Sequence, residues 1–482
     1  MKCGYEYDAV VIGAGPNGLA AAIRIAQQGF STLVLEGTAK VGGACRTEEL
    51  TFPGFRHDVG SAVHPLGLAS PFFSSLPLEQ YGLAWVQPPV PLAHPITAGE
   101  AVALQRSVGA TAAALGNDAG SYRRIFEPLV LNAGSLLEEF LQPVIHVPRH
   151  PVLALKFGKL ALLPVRELVR ICFSQAPAAA LLAGLAAHSF LPLTAAGSTA
   201  FGLVLGMLGH AVGWPIPVGG AQAIADALWK CLETLGGKIQ TNAFVKTLDQ
   251  LPRTRVVVLD VTPRQLICIA GKKLPDRYRR TLERFRYGPG IFKIDYALDG
   301  PIPWLHETCR QAGTIHLGGP FAAIAEAERQ VARGQCPNRP FALLSQPTLF
   351  DPTRAPSGRH TAWVYCHVPN GSSIDMTERI ENEISRFAPA FRSRVLGRHV
   401  TAAAQLESEN PNLVGGAITG GANDLWQLLA RPTLSPAPYR IPIKGVFLCS
   451  SSTPPGGGVH GMCGFHAANA AVKSLKTGDW IE

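Results

Sequence analysis

The sequence predicts an α/β fold that opens on a parallel, doubly wound sheet, with a discontinuous α+β domain threaded between its parts. Three observations carry this. Tyr7–Gly13 (YDAVVIG) and Ser31–Glu36 (STLVLE) are short apolar runs of strand character. Pro16–Gly29 between them reads as a helix closed by Gly29, so strand, glycine turn, helix and strand form one βαβ unit. Strand-like pieces recur far downstream at Lys238–Leu248, Arg255–Leu259 and Gly445–Cys449, which implies a sheet assembled from distant segments. The predicted division is 1–75, 210–290 and 425–482 for the first domain, and 76–209 and 291–424 for the second.

Other elements fill in this frame. Ala221–Leu235 is an amphipathic helix ending at Gly236-Gly237, Ile291–Leu298 alternates like a half-buried strand, and Glu378–Phe387 is a polar helix. The chain of 482 residues is long enough for two or more domains. Hydrophobic residues make up 47% and charged ones 16%, which excludes intrinsic disorder. Ten cysteines are scattered without any C-x-x-C pair, arguing against a zinc ribbon and a thioredoxin-type dithiol, and suiting a reducing compartment. Met1–Asp8 runs straight into a strand and leaves no room for a signal peptide, so the expected location is cytoplasmic, or cytoplasmic and membrane-associated.

Net charge is +9, densest at Lys272–Arg286. That cluster reads as a solvated helix face, with docking to anionic lipid as the alternative; no recognition motif for nucleic acid accompanies it. From Ile171 to Ala225 there is no Asp, Glu, Lys or Arg. His188, Pro192, His210, Pro215 and Pro217 break the run below the length of about 20 residues that a spanning helix needs. It reads as buried helices, or as helices lining an apolar substrate tunnel and touching a membrane peripherally.

Gly13-Ala14-Gly15-Pro16-Asn17-Gly18 is a G-x-G-x-x-G turn in the context such a turn requires, after a strand and opening a helix. Gly13 permits the turn, Gly15 lets backbone approach a pyrophosphate, and Gly18 allows close helix–strand packing. The helix N-terminus offers free N–H groups to phosphate. Glu36 ends the second strand, where a carboxylate binds ribose hydroxyls and disfavours a 2′-phosphate, so FAD or NAD fits better than NADP. Gly42, Gly43, Ala44 and Arg46 follow as a second phosphate-approaching loop. This pairing resembles the glutathione-reductase/amine-oxidase class of FAD proteins. Leu50 stands where a disulfide reductase would carry the partner of Cys45, which excludes a dithiol enzyme.

Pro454–Gly461 is a second glycine-rich turn, ahead of an Ala-rich helix. No strand and no acidic ribose residue follow it, so it is not a second Rossmann unit. A turn of this kind presents N–H groups to the anionic edge of a reduced flavin. Gly445–Ala471 resembles the C-terminal motif of phytoene-dehydrogenase-related flavoproteins, which include carotenoid desaturases, isomerases and ketolases. Trp214–Gly220, Lys293–Trp304, and Asn410-Pro411-Asn412 followed by Gly415-Gly416 resemble that family too, on the side of its oxidoreductases without an assigned substrate. The resemblance implies a Rossmann-type FAD-binding domain whose ADP half is bound by Gly13, Gly15, Gly18, Glu36, Gly43 and Arg46. It also implies that the Val245 backbone meets adenine, that Asp58-Val59-Gly60-Ser61 passes under the isoalloxazine, and that Gly457, Gly458 and Val459 meet its pyrimidine edge.

His460, beside that turn, is the candidate general base or flavin-polarising residue. His460, Cys463 and His466 lie on different flanks of one helix, so no metal site is expected. No G-x-S-x-G elbow supports a hydrolase. The reading is an oxidoreductase with non-covalent FAD that passes hydride from a C–H bond of a lipophilic, isoprenoid- or polyene-like substrate to flavin N5. A redox-neutral isomerase, a ketolase, and an FAD-binding regulatory protein with little catalysis are the alternatives. With no second nucleotide fold for NAD(P)H, the electron acceptor is open between oxygen, a quinone and another flavoprotein.

Overall fold

The computed structural model describes residues 4–481; Met1–Cys3, on which the leaderless start and one of the thiols were read, and Glu482 lie outside the described residues. Strands of three residues or more run in chain order as β1 (Tyr7–Ile12), β2 (Thr32–Leu35), β3 (Val90–Thr97), β4 (Glu100–Leu104), β5 (Lys238–Gln240), β6 (Thr254–Leu259), β7 (Gly290–Leu298), β8 (Ala312–Leu317), β9 (Ala342–Ser345), β10 (His360–Val368), β11 (Val395–Thr401) and β12 (Val446–Leu448). They form two sheets. The first has order β12–β6–β1–β2–β5 and is parallel throughout. The second, β11–β7–β10–β9–β8–β3–β4, is antiparallel except where β8 runs parallel to β3.

Continuous burial along β1, β2 and β6 suits a parallel sheet covered on both faces. Helix α1 (Pro16–Ala26) covers one face beside α7 (Gln222–Thr234), with nine of the eleven residues of α1 buried. It packs against α9 (Met462–Thr477) so closely that a Cβ on Gly464 would lie 1.9 Å from the Asn17 carbonyl oxygen. Apolar side chains of β6 and β12, with Leu266 and Leu282, fill the other face.

The second sheet also has two faces. Phe292, Ile294 and Tyr296 of β7 turn away from the first sheet into a core shared with α8 (Thr377–Phe387). Alternate residues point toward the helices α2 (Ala133–Phe140), α3 (Pro151–Ala161), α4 (Val165–Cys172), α5 (Ala176–Ala187) and α6 (Ser198–Ala211). The charge-free stretch Ile171–Ala225 forms chiefly α5 and α6, and nine of the twelve residues of α5 are buried. No helix among the described residues is long and apolar enough to cross a membrane.

Two elements depart from expectation. Strand β7, whose alternation predicts a half-buried strand, is buried at all nine positions because both faces of the second sheet are covered. The strand expected over Lys238–Leu248 ends at Gln240. Asn242 takes a positive φ, its amide donates to the Thr38 carbonyl and the Ala243 amide to the Glu36 carbonyl, so the chain wraps over the end of β2 and brings Val245 above the sheet edge.

Candidate functional site

The C-terminal ends of β1, β2 and β6 open on a cavity of about 1130 Å³ that continues between α6 and the second sheet. Gly13, Gly15, Pro16, Asn17, Glu36, Gly43, Ala44, Arg46, Gly60, Ser61, Val245, Gly457, Gly458, Val459 and His460 all line it. Ala14, Gly18 and Gly42 do not; they brace the residues that do. The Ala14 amide donates to Glu36 Oε2 (2.8 Å), and the Gly42 amide donates to the Ala14 carbonyl (2.8 Å). A Cβ on Gly18 would lie 2.0 Å from the Gly13 carbonyl oxygen, so only glycine lets α1 start this close to β1.

The glycine turn therefore has its carboxylates in place. Glu36, buried at the end of β2, also accepts the Thr38 amide and hydroxyl at Oε1 (both 2.9 Å). The sequence reading missed Asp260, the residue after β6, whose Oδ2 accepts the Gly18 amide (2.9 Å) under the turn. Its signal was available: an acid directly after an apolar strand that rejoins a dinucleotide sheet stands at that sheet's binding edge. Burial, with the nearby Glu36 charge, pushes its carboxyl up to about 7 despite the Gly18 N–H.

This makes a pH prediction. The folded carboxyl resists ionisation that the unfolded chain accepts near its ordinary value of 3.8, so Asp260 favours the folded state below about pH 4. That contribution is lost as pH rises toward 7, and an anionic pyrophosphate nearby deepens the loss. Asp260→Asn keeps an acceptor for the Gly18 amide. The variant should therefore gain on wild type in thermal stability and FAD retention as pH rises from 5 to 8, read by melting temperature and released flavin fluorescence. A constant difference across that range would remove the carboxyl from the cradle's energetics.

Dinucleotide fit is visible in the donors. At the N-terminus of α1, which lines the cavity, Pro16 has no N–H and the Gly18 amide is taken by Asp260, so the Asn17 amide is the one left for phosphate. Arg46 Nε, buried in the cavity lining with no hydrogen bond and the Glu48 carboxylate 3.6 Å away, is a donor that a phosphate could take, while Asn17 Oδ1 is a buried acceptor without a partner. Gly60 and Ser61 line the same cavity as the Gly457–Val459 turn ahead of α9. A dinucleotide with a central pyrophosphate and a flat ring at one end would be held by α1 at its phosphates and by these two segments at its ring. FAD fits this cradle.

His460 is buried in the same turn. Its Nδ1 accepts the Met462 amide (3.0 Å) and its carbonyl accepts the Ser70 hydroxyl (2.6 Å). Burial lowers its pKa to about 4, so the imidazole is neutral and caps α9. Cys463 donates to the Gly456 carbonyl, while His466 bonds the Leu141 carbonyl, so the three side chains do not converge. Burial pushes the Cys463 thiol up to about 12 and raises the Cys45 thiol as well, leaving neither reactive.

Beyond the flavin end the cavity becomes an apolar chamber. Phe201, Val204 and Leu205 of α6 line it together with Leu343, Trp363 and Tyr365 of the second sheet. Its polar side chains include Tyr365, Ser345 and Asn423, Trp363 and Thr314, whose Nε1 and Oγ1 lack partners, and His188, whose Nε2 pairs with His316 Nε2 at 3.0 Å. Burial lowers both histidines, His188 to about 3, so the pair is neutral. Sequence reading found none of this pair as a site, because its members are 128 residues apart and meet only through the sheet.

Comparison with known proteins agrees with this geometry. Residues 11–74 match the family of NAD(P)-binding Rossmann-like domains. The chain is 28% identical to rat pyridine nucleotide-disulfide oxidoreductase domain-containing protein 2, over 98% of this chain and 94% of that protein. It is 24% identical to a limonene dehydrogenase subunit of Castellaniella defragrans, over 98% and 96%. A structure of putrescine oxidase bound to putrescine superposes with a TM-score of 0.63 at 18% identity, covering 98% of this chain and 99% of that one. The fold is that of the flavin amine oxidases. The Rossmann-type FAD domain thus stands on the local motifs and on the whole-chain superposition alike.

Proposed function

We propose that this chain is an FAD-dependent oxidoreductase that removes hydride from a C–H bond of a lipophilic, isoprenoid- or polyene-like substrate. The observation that carries the reading is the single cavity joining the dinucleotide cradle to a chamber walled by α6 and the aromatic face of the second sheet. Bound FAD supplies a two-electron acceptor at flavin N5. The chain's part is to exclude water and to hold the substrate in the chamber with apolar and aromatic contacts.

An amine substrate, as in putrescine oxidase, suits the chamber poorly. Of the four carboxylates lining the cavity among the described residues, Glu36 and Asp260 brace the glycine turn. Glu139 is held by His146 and the His150 amide, and Glu409 accepts from Gln405. None is free in the chamber to meet an ammonium. The likeness to a limonene dehydrogenase subunit supports a lipophilic hydrocarbon instead, as does the resemblance to phytoene-dehydrogenase-related proteins. His188, paired to His316, lines the chamber beside the aromatic wall as a neutral polar group. Reoxidation falls to oxygen, a quinone or another flavoprotein.

The test is lipid extracted from purified protein, identified by mass spectrometry and returned to it anaerobically. The flavin absorbance should bleach with the extracted lipid, not rapidly with NADPH. Leu205 lines the chamber half-buried, so Leu205→Asp should retain flavin yet lose at least tenfold in bleaching rate, because a charge there must be desolvated by an apolar substrate. Fast bleaching by primary amines and none by lipid would overturn the reading.

A further inference from the structure

We propose that the face built from the end of the helix at Leu131, the Val144–His150 loop, α3 and α4 docks on an anionic lipid bilayer and seats the cavity mouth there. This rests on the lipophilic-substrate reading for its purpose, though not for its evidence. Eight of the eighteen large apolar side chains exposed among the described residues fall between Leu131 and Ile171. Val147 is 90% exposed, Leu131 84%, Val152 66% and Leu155 62%. Scattered exposed apolar side chains need no explanation, but a concentration of this kind marks a contact surface.

Helix α3 shows the design most clearly. A helix on a protein surface normally buries a full apolar stripe, yet only Ala161 of the eleven residues of α3 is buried. Its inner side supplies Ala154 and Phe157 to the cavity wall. Its outer side carries Val152, Leu155, Lys156 and Lys159, spaced i, i+3, i+4 and i+7 on one face, all exposed. Val144, 49% exposed, lines the cavity as well, so the cavity opens within this face.

Charge identifies the occupant. From Gln142 to Cys172 there are five cations, Arg149, Lys156, Lys159, Arg166 and Arg170, against the single acid Glu167. Arg149 and Arg170 pair with Glu138 and Glu167; Lys156, Lys159 and Arg166 have no carboxylate partner among the described residues. A second copy of this chain would set like charges against each other. Apolar side chains among unpaired cations match the boundary between headgroups and acyl chains in an anionic leaflet. The two regions singled out from sequence each lack half of this combination. Lys272–Arg286 is cationic, but no exposed large apolar side chain lies between Phe244 and Leu305 among the described residues. Ile171–Ala225 is apolar, but it is largely folded into the core.

Flotation of the flavin-loaded protein with vesicles tests the proposal. Wild type should float with phosphatidylcholine containing about 30 mol % phosphatidylglycerol and remain behind with phosphatidylcholine alone, as an electrostatic contribution requires. Val147→Asp with Leu155→Asp, and separately Lys156→Glu with Lys159→Glu, should each weaken binding by roughly tenfold or more while keeping flavin absorbance and melting temperature. The proposal is overturned if wild type fails to float with the mixed vesicles, floats equally with both, or is matched by the variants. Light scattering that shows a wild-type dimer, a monomeric Leu155→Asp protein and no flotation would give the face to a second copy and overturn it too. Flavin bleaching by detergent-dispersed lipid is read separately, so a failed substrate reading leaves the flotation result standing.

Discussion

Gly15→Val protein should purify colourless. An ideal Cβ at Gly15 lies 2.8 Å from Asp260 Oδ2, and an ideal Cβ at Gly43 of the second loop would lie 3.3 Å from the Gly15 Cα. A valine there projects its methyl groups into the space the phosphates need, between two loops that cannot separate, because the Gly42 amide is bonded to the Ala14 carbonyl. The obstacle beside it is a carboxylate end and not main chain, so the fold should survive with a modest loss in melting temperature. Gly18→Ala is the contrasting case. Its Cβ meets the Gly13 carbonyl oxygen at 2.0 Å, a backbone clash, and should lower the yield of folded protein. FAD content per folded molecule, measured by absorbance after gel filtration, separates the two. Full flavin occupancy in Gly15→Val would show that the pyrophosphate does not cross this turn.

What could be read from sequence divides by range of interaction. The βαβ unit, Glu36 and the C-terminal turn are legible because each is a local pattern whose partners lie within a few tens of residues. Glu36 reaches back 22 residues to Ala14, within one motif. The second sheet was visible only in fragments, since β3 pairs with β8 more than 200 residues on. The most apolar stretch of the chain reads as buried helices and is largely that, so the exposed apolar surface falls chiefly elsewhere. Ile171–Ala225 is free of charge because most of it is core, and the exposed apolar face lies just before it, among lysines and arginines that made it look ordinary. Hydrophobicity alone orders residues by burial; only the fold shows which apolar side chains were left outside.

Arg354→Met should destabilise the protein by about 3–5 kcal/mol, the cost of leaving a buried charge without its partner. Arg354 Nη2 donates to Asp58 Oδ2 at 2.7 Å, and neither side chain has any exposure. Asp58 Oδ1 accepts the Ala221 amide and the Thr47 hydroxyl (both 2.8 Å), while Arg354 Nε donates to the Arg56 carbonyl (3.2 Å). The pair thus ties the turn before β10 to the segment that continues as Val59, Gly60 and Ser61 along the cavity floor. Methionine fills much of the arginine volume, so the loss reads the charge and not a hole. The pH dependence checks this assignment. Burial raises the Asp58 carboxyl, but Arg354, the Ala221 amide and Thr47 outweigh it and hold it below its ordinary 3.8. In wild type that stabilisation is present above about pH 4 and is lost as pH falls through the depressed value. In the variant burial acts unopposed by the guanidinium, the carboxyl shifts upward, and protonation relieves the damage. The stability gap between the two proteins, measured by urea unfolding, should therefore narrow as pH drops from 7 to 5, and Asp58→Asn in the Arg354→Met background should recover part of it at pH 7. A gap that stays constant with pH, with no recovery in the double variant, would mean that the arginine acts through packing alone.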